Sequence, residues 1–210
     1  MDKIKKYVKK IVKILSLKEL SILPAYLSYS LVLAIVPIIT IILIKRKNKE
    51  NILRNNDKLK YIDTMTSLKN RAYLNCKISE WDDNVVYPQA FIVIDLNNIK
   101  DINDAHGHVE GDTVIKKAAS ILIVNQEANT DIVRTDGTEF LIYMVGYGEK
   151  DVISYTRKIY KELKELPYGY GATIGYSMIM DDIKTVDDAI NEATIDMRKK
   201  KEQVDFNGQN

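Results

Sequence analysis

The 210-residue chain predicts a mixed α/β domain with a central sheet, preceded by an N-terminal membrane helix. Three observations predict this. From about residue 63 onward, apolar runs of strand length alternate with segments of helical periodicity. Asp136 and Gly137 form an Asp-Gly pair between two apolar runs, the strongest short-range hairpin signal. Leu20 to Ile44 is an uncharged, mostly apolar run of 25 residues, above the ~20 needed to span a bilayer.

In residues 1–19, Ile4, Tyr7, Val8, Ile11, Val12 and Leu15 recur at helical spacing among six lysines. That pattern predicts a basic amphipathic helix lying on anionic lipid. The apolar run 20–44 exceeds the ~7–15 residues of a signal-peptide core and no small-x-small cleavage site ends it, which favours an uncleaved anchor. Pro24 and Pro37 are compatible with a membrane helix or a re-entrant segment. Lys18 on one flank and Lys45, Arg46 and Lys47 on the other leave its orientation open. Residues 45–62, without Gly or Pro, read as a charged helical linker continuous with the anchor.

The remaining segment, 63–205, reads as one domain. Its predicted elements are a helix over Lys69–Trp81, a strand Gln89–Asp95, a helix Gly111–Asn125, a hairpin Asp131–Val145, a helix Lys150–Leu166, a strand Ala172–Ile179 and a helix Val186–Lys201. Thr185 with Asp188 suits a capping box for the last helix. The aromatic and Gly-rich piece Pro167–Gly175 fits no phosphate-loop spacing and reads as a turn entering a core strand. Cys76 is the only cysteine, so no internal disulfide can form, and its helical setting suggests a buried thiol.

Charge is unevenly divided. Residues 1–60 hold 14 Lys/Arg against 4 Asp/Glu, whereas the remainder holds 17 against 25. An acidic domain without a basic stripe disfavours nucleic-acid binding. Lys199, Lys200 and Lys201 form a run that usually marks a solvated helix end. His106 and His108, at i, i+2 in a loop without Cys partners, do not make a zinc site.

The chemistry concentrates in two segments. FIVIDLNNIKDINDAHGHVEGD supplies a buried strand ending on Asp95, an Asx-rich segment and a helix opening at Asp112; VRTDGTEF supplies a hairpin carrying Glu139. A strand-end acid beside a second acid in one sheet is what a metal-nucleotide site needs.

Order and spacing of these segments resemble the GGDEF domain, the catalytic domain of bacterial diguanylate cyclases. Asp63, Met65, Thr66, Ser67, Leu68, Asn70 and Arg71 stand in the register of D-x-L-T-G-L-x-N-R. Asp95, Lys100, Asn103, Asp104, Gly107, His108, Gly111 and Asp112 keep the next block, in which Asn97 and Ile99 are substitutions. The hairpin R-x-G-G-D/E-E-F aligns as Arg134, Thr135, Asp136, Gly137, Thr138, Glu139 and Phe140. LSILPAYLSYSLVLAIVPIIT is also similar to the first membrane helix of the YihY/BrkB proteins.

The GGDEF resemblance implies a mostly antiparallel central sheet flanked by helices, with Mg²⁺ as cofactor and GTP as ligand in a homodimer. It implies that Asp95 binds the metal, that Asn103 and Asp112 read the guanine edge, and that Lys201 contacts phosphate. In the hairpin, Glu139 and the degenerate position Thr138 would be the catalytic residues, and Asp136 and Gly137 would bind the nucleotide. The family's inhibitory product site is replaced by Glu127 and Thr130. Two substitutions weaken the active site. Thr138 stands where a metal-binding acid belongs, and a neutral hydroxyl is a poor ligand for a hard cation. Asp136 brings a charge where bare Gly lets backbone approach phosphate.

Three readings follow. The first is a membrane-anchored, degenerate GGDEF signalling protein with impaired catalysis, its domain in the cytoplasm where GTP is found. The second is an active cyclase condensing two GTP to cyclic di-GMP. The third is a non-catalytic membrane protein whose GGDEF-like domain is structural or dimerising.

Overall fold

The computed structural model describes residues 5–6, 9–10, 13, 35–47 and 59–208, with side chains up to Gln203. The chain divides into two compact units, Met1–Asp57 and Lys58–Asn210.

In the first unit, Lys5, Lys6, Lys9, Lys10 and Lys13 are helical and exposed, in keeping with the cationic side of an amphipathic helix. Residues 35–47 are a helix. Among the described residues no helix is long and apolar enough to cross a membrane, so the expected membrane helix is not found there. Residues 20–34 of the expected anchor, and 48–58 of the linker, lie outside the described residues.

The second unit is built on five strands, β1 (Lys69–Asn70), β2 (Gln89–Leu96), β3 (Thr130–Arg134), β4 (Glu139–Val145) and β5 (Ala172–Ile179). Their order is β1-β3-β4-β2-β5, and every pairing except the two-residue β1–β3 contact is antiparallel. The helices are α1 (Arg71–Asp82), α2 (Ile99–His106), α3 (His108–Val124), α4 (Glu149–Lys164) and α5 (Val186–Gly208).

β2 lies near the middle because its side chains are apolar on both faces. Phe91 and Val93 pack with Leu141, Tyr143, Trp81 and Met197 beneath α1 and α5. Ala90, Ile92 and Ile94 pack with Ile142, Leu122 and Ile159 beneath α3 and α4. Phe91, Ile92 and Ile94 are fully buried, each stabilising the fold by ~1.5–3 kcal/mol relative to exposure. Trp81 stacks on Tyr143 with ring centroids 4.2 Å apart, tying α1 to β4.

Several sequence expectations need correction. The first helix starts at Arg71 because Lys69 and Asn70 pair with Val133 and Arg134, and the Asn70 side chain then caps the Tyr73 N–H. α2 is a helix that the sequence pattern does not predict. Its Asx-rich sequence reads as turn, yet Ile99 and Ile102 find core partners that stabilise one short helix. Asn98 at φ 57° opens α2 and Gly107 at φ 88° separates it from α3.

The hairpin forms with a four-residue loop, Thr135–Thr138, and neither Asp136 nor Gly137 has the positive φ of a two-residue type I′ turn. Cys76 is exposed, because α1 turns Leu74 and Trp81 inward and the intervening residue falls on its outer side. Thr185 does cap α5, its hydroxyl accepting from the Asp188 N–H at 3.1 Å. Pro167–Gly175 is indeed a turn leading into β5, with Tyr168, Gly169 and Gly171 all at positive φ.

Candidate functional site

Asp95 occupies the last full pair of the β2 ladder, opposite Glu139 in β4 and Thr173 in β5. Directly opposed residues share a face of a sheet. Asp95, Glu139 and Thr173 therefore continue the Phe91–Val93 face onto the rim, where the core gives way to polar groups. Asp95 keeps only 17% side-chain exposure there.

Both oxygens of Asp95 are engaged. The Thr138 hydroxyl donates to Oδ1 at 2.7 Å, and the Lys201 ammonium donates to Oδ2. Thr138 is also fixed by its backbone, its carbonyl accepting from the Leu96 N–H at 3.1 Å. Lys201 arrives from α5, one turn beyond Met197, whose side chain is buried on the same face. Lys200 turns to Asp196 and the Ile174 carbonyl, so two of the three consecutive lysines are used by the fold instead of forming a solvated end.

Glu139 accepts from the Thr135 hydroxyl at 2.8 Å. Arg134 binds the loop from behind, donating to the Gly137 carbonyl at 2.7 Å and to Asp63 at 3.0 Å. Burial raises the Asp63 pKa, but hydrogen bonds from Thr66 and Arg134 outweigh it and hold the carboxyl below its ordinary 3.8. Asp136 is exposed and folds back on its own loop, Oδ1 accepting from the Gly137 N–H at 2.7 Å.

Asn97 is buried two residues beyond Asp95. Its Nδ2 donates to the Tyr170 carbonyl and its Oδ1 accepts from Thr173. A carboxylate could not make the first of these bonds, which gives a local reason for Asn at this position.

Asn103 and Asp112 stand on α2 and α3, apart from the hydrogen-bonded group around Asp95. They are brought near each other by Gly111. A Cβ there would lie 2.0 Å from Asn103 Oδ1, so only glycine lets the carboxamide lie across α3. Asn103 Oδ1 is buried without a hydrogen-bond partner, an arrangement that costs ~1–3 kcal/mol. His106 stacks on Tyr168 at 4.7 Å and Tyr168 donates to Glu110, fastening the α2–α3 corner to the turn before β5.

The sequence reading missed one surface. Lys150, Arg157, Lys158 and Lys161 share a face of α4 at helical spacing, a local basic stripe within the acidic domain.

A family model described as diguanylate cyclase, GGDEF domain, matches residues 60–206. The chain belongs to the GGDEF family. MucR of Pseudomonas aeruginosa, a bifunctional diguanylate cyclase and cyclic di-GMP phosphodiesterase, is 26% identical over 151 residues, 67% of this chain and 22% of that protein. The chain thus spans about a fifth of that relative's length. A sensory box/GGDEF protein from Caulobacter crescentus is similar in structure, with 25% identity and a TM-score of 0.60 over 68% of this chain and 99% of that one. The coiled coil and GGDEF domain of DgcB from the same organism, solved with c-di-GMP, shares the fold at 18% identity and a TM-score of 0.68, covering 83% and 95% of the two chains. The family model begins at residue 60 and lends no support to a YihY/BrkB relationship for the first 45 residues.

Within this GGDEF domain the donor set does not suit a resident Mg²⁺. Among the described residues no group of three or more His, Cys, Asp and Glu side chains is placed to hold a metal. The carboxylate at Asp95 is already neutralised by an ammonium, and Thr138 spends its hydroxyl hydrogen on that same carboxylate. The residues that could meet a phosphate are instead Lys201, Arg71, whose guanidinium reaches the Thr135 carbonyl at 3.4 Å, and the loop amides.

Proposed function

We propose that this chain is a membrane-tethered GGDEF signalling protein that binds guanine nucleotide and makes little or no cyclic di-GMP. The hydrogen bond from Thr138 to Asp95 carries the reading. Where an active member presents a second acid, this chain presents a hydroxyl turned towards the first. A hydroxyl in that role supplies neither negative charge nor a base for a ribose proton.

Guanine recognition falls to Asn103 and Asp112. Together these two side chains offer donor and acceptor groups to the guanine edge, and a carboxylate such as Asp112 accepts from N1 and N2 of guanine, a pattern adenine lacks. Lys201 and the loop Asp136–Gly137 face the phosphates. The chain acts as a homodimer, with the domain in the cytoplasm and residues 1–44 at the membrane.

The assay that tests this compares cyclic di-GMP formation from GTP and Mg²⁺ by the native chain and by the Asp136→Gly, Thr138→Glu double variant. The restored motif is expected to be faster by ~10²–10³, the usual size of a lost electrostatic contact to a transition state. A native chain that makes cyclic di-GMP as fast as the restored one would be an ordinary cyclase. One observation favours that second reading: Glu139 lies directly opposite Asp95, so two carboxylates still face one another across the ladder.

A further inference from the structure

We infer that Lys201 replaces the divalent cation at this site, so that the chain takes guanine nucleotide without metal. The inference rests on the nucleotide binding proposed above. It begins from the way Asp95 is used. A carboxylate 17% exposed at the end of a central strand needs a counter-charge. Here the counter-charge is covalently part of the chain: the Lys201 ammonium binds Oδ2, while Thr138 occupies Oδ1.

The two replacements support each other. An acid at position 138 would place two carboxylates around one ammonium and leave a net negative charge that draws a divalent ion. A threonine there leaves one carboxylate to one ammonium, a neutral pair that has nothing to offer a second cation. A divalent ion would have to approach Lys201 against like charge and displace it from Asp95, while its other ligand would be a hydroxyl. Glu139, the remaining acid on this rim, holds the Thr135 hydroxyl.

Lys201 can still serve a phosphate. An ammonium has three donors and Asp95 uses one. The side chain is 34% exposed, so the remaining N–H groups lie within reach of solvent on the rim that carries Thr138 and the hairpin loop. The position of the ammonium is set by packing: α5 is held on β5 at Gly175, where a Cβ would meet Met197 N at 2.3 Å. The cation is therefore delivered by a buried helix contact, with no ion to recruit.

Two measurements on the full chain test this. Calorimetric titration with GTP is run in excess EDTA and again in millimolar Mg²⁺, on native protein and on Lys201→Met. The native affinity is expected to agree within about threefold between the two conditions, and Lys201→Met in EDTA to bind at least ~10-fold more weakly, as for loss of one charge-assisted hydrogen bond. Native GTP binding that tightens tenfold or more with Mg²⁺ overturns the inference and leaves guanine-nucleotide binding intact. No GTP binding in either condition overturns both. The second measurement needs no nucleotide: electron paramagnetic resonance of Mn²⁺ titrated with native chain is expected to show only the free-ion signal. Saturable Mn²⁺ binding that Asp95→Asn abolishes would sink the inference by itself. Thr138→Glu with Lys201→Met is expected to acquire that binding.

Discussion

Gly175 in β5 and Met197 in α5 meet backbone to backbone. A Cβ at Gly175 would lie 2.3 Å from Met197 N and 2.2 Å from the Ala193 carbonyl oxygen. Neither atom is the end of a flexible side chain, so any larger residue must lift the helix. Because Lys201 follows Met197 by one turn, the position of the site's cation depends on a glycine in β5, on the other side of β2 from the hairpin.

Gly175→Ala is therefore expected to destabilise the domain by ~1–3 kcal/mol, the usual cost of overpacking. It should also weaken GTP binding through Lys201. Denaturant unfolding and GTP titration of the same variant check this, and unchanged stability would show that α5 does not press on β5.

The Asp63–Arg134 pair predicts an acid limb of stability. The folded pKa of Asp63 lies below the unfolded 3.8, so its contribution is complete above 3.8 and is lost as pH falls through the lower folded value. Unfolding free energies of native chain and Asp63→Asn should differ most near neutral pH and converge as pH falls from 3.8 through the lower folded pKa. A constant difference across that window would remove Asp63 from the account.

Guanine selectivity can be read without any product. Asp112→Ala is expected to weaken GTP by ~10-fold or more while leaving ATP unaffected, since a charged hydrogen bond contributes ~1.5–3 kcal/mol. Gly111→Ala should do the same by displacing Asn103, whose oxygen would lie 2.0 Å from the new Cβ. Equal affinity of native chain for GTP and ATP would sink this assignment.

The proposed membrane tether predicts that the full chain sediments with membranes and needs detergent for release. Removal of residues 1–45 is expected to free the domain into the soluble fraction. The motive is the apolar run Leu20–Ile44 with basic flanks. Full chain in the soluble fraction without detergent would count against it.

Much of the domain was legible in local pattern. β5 runs from Ala172 to Ile179 as expected, because its apolar residues and the turn before it mark both ends. The hairpin was legible too, but for an incomplete reason. Asp-Gly suggests a two-residue turn, whereas Arg134 and its bonds to the Gly137 carbonyl hold a wider loop. α2 was not legible, since Asn98, Asp101, Asn103 and Asp104 are turn-forming residues and only the burial of Ile99 and Ile102 makes them helical.

Sequence by itself determined the family, the strand-end acid and the threonine at position 138, because these are identities at fixed spacing along the chain. Tertiary structure alone decided what those residues do to one another. Lys201 and Asp95 are 106 positions apart, and nothing local distinguishes Lys201 from Lys199 two positions before it. The helix phase, set by Ala193 and Met197 packing on Gly175, turns Lys201 of the run to the strand-end carboxylate of Asp95. Side-chain direction follows from packing across distant elements, which a linear pattern does not contain.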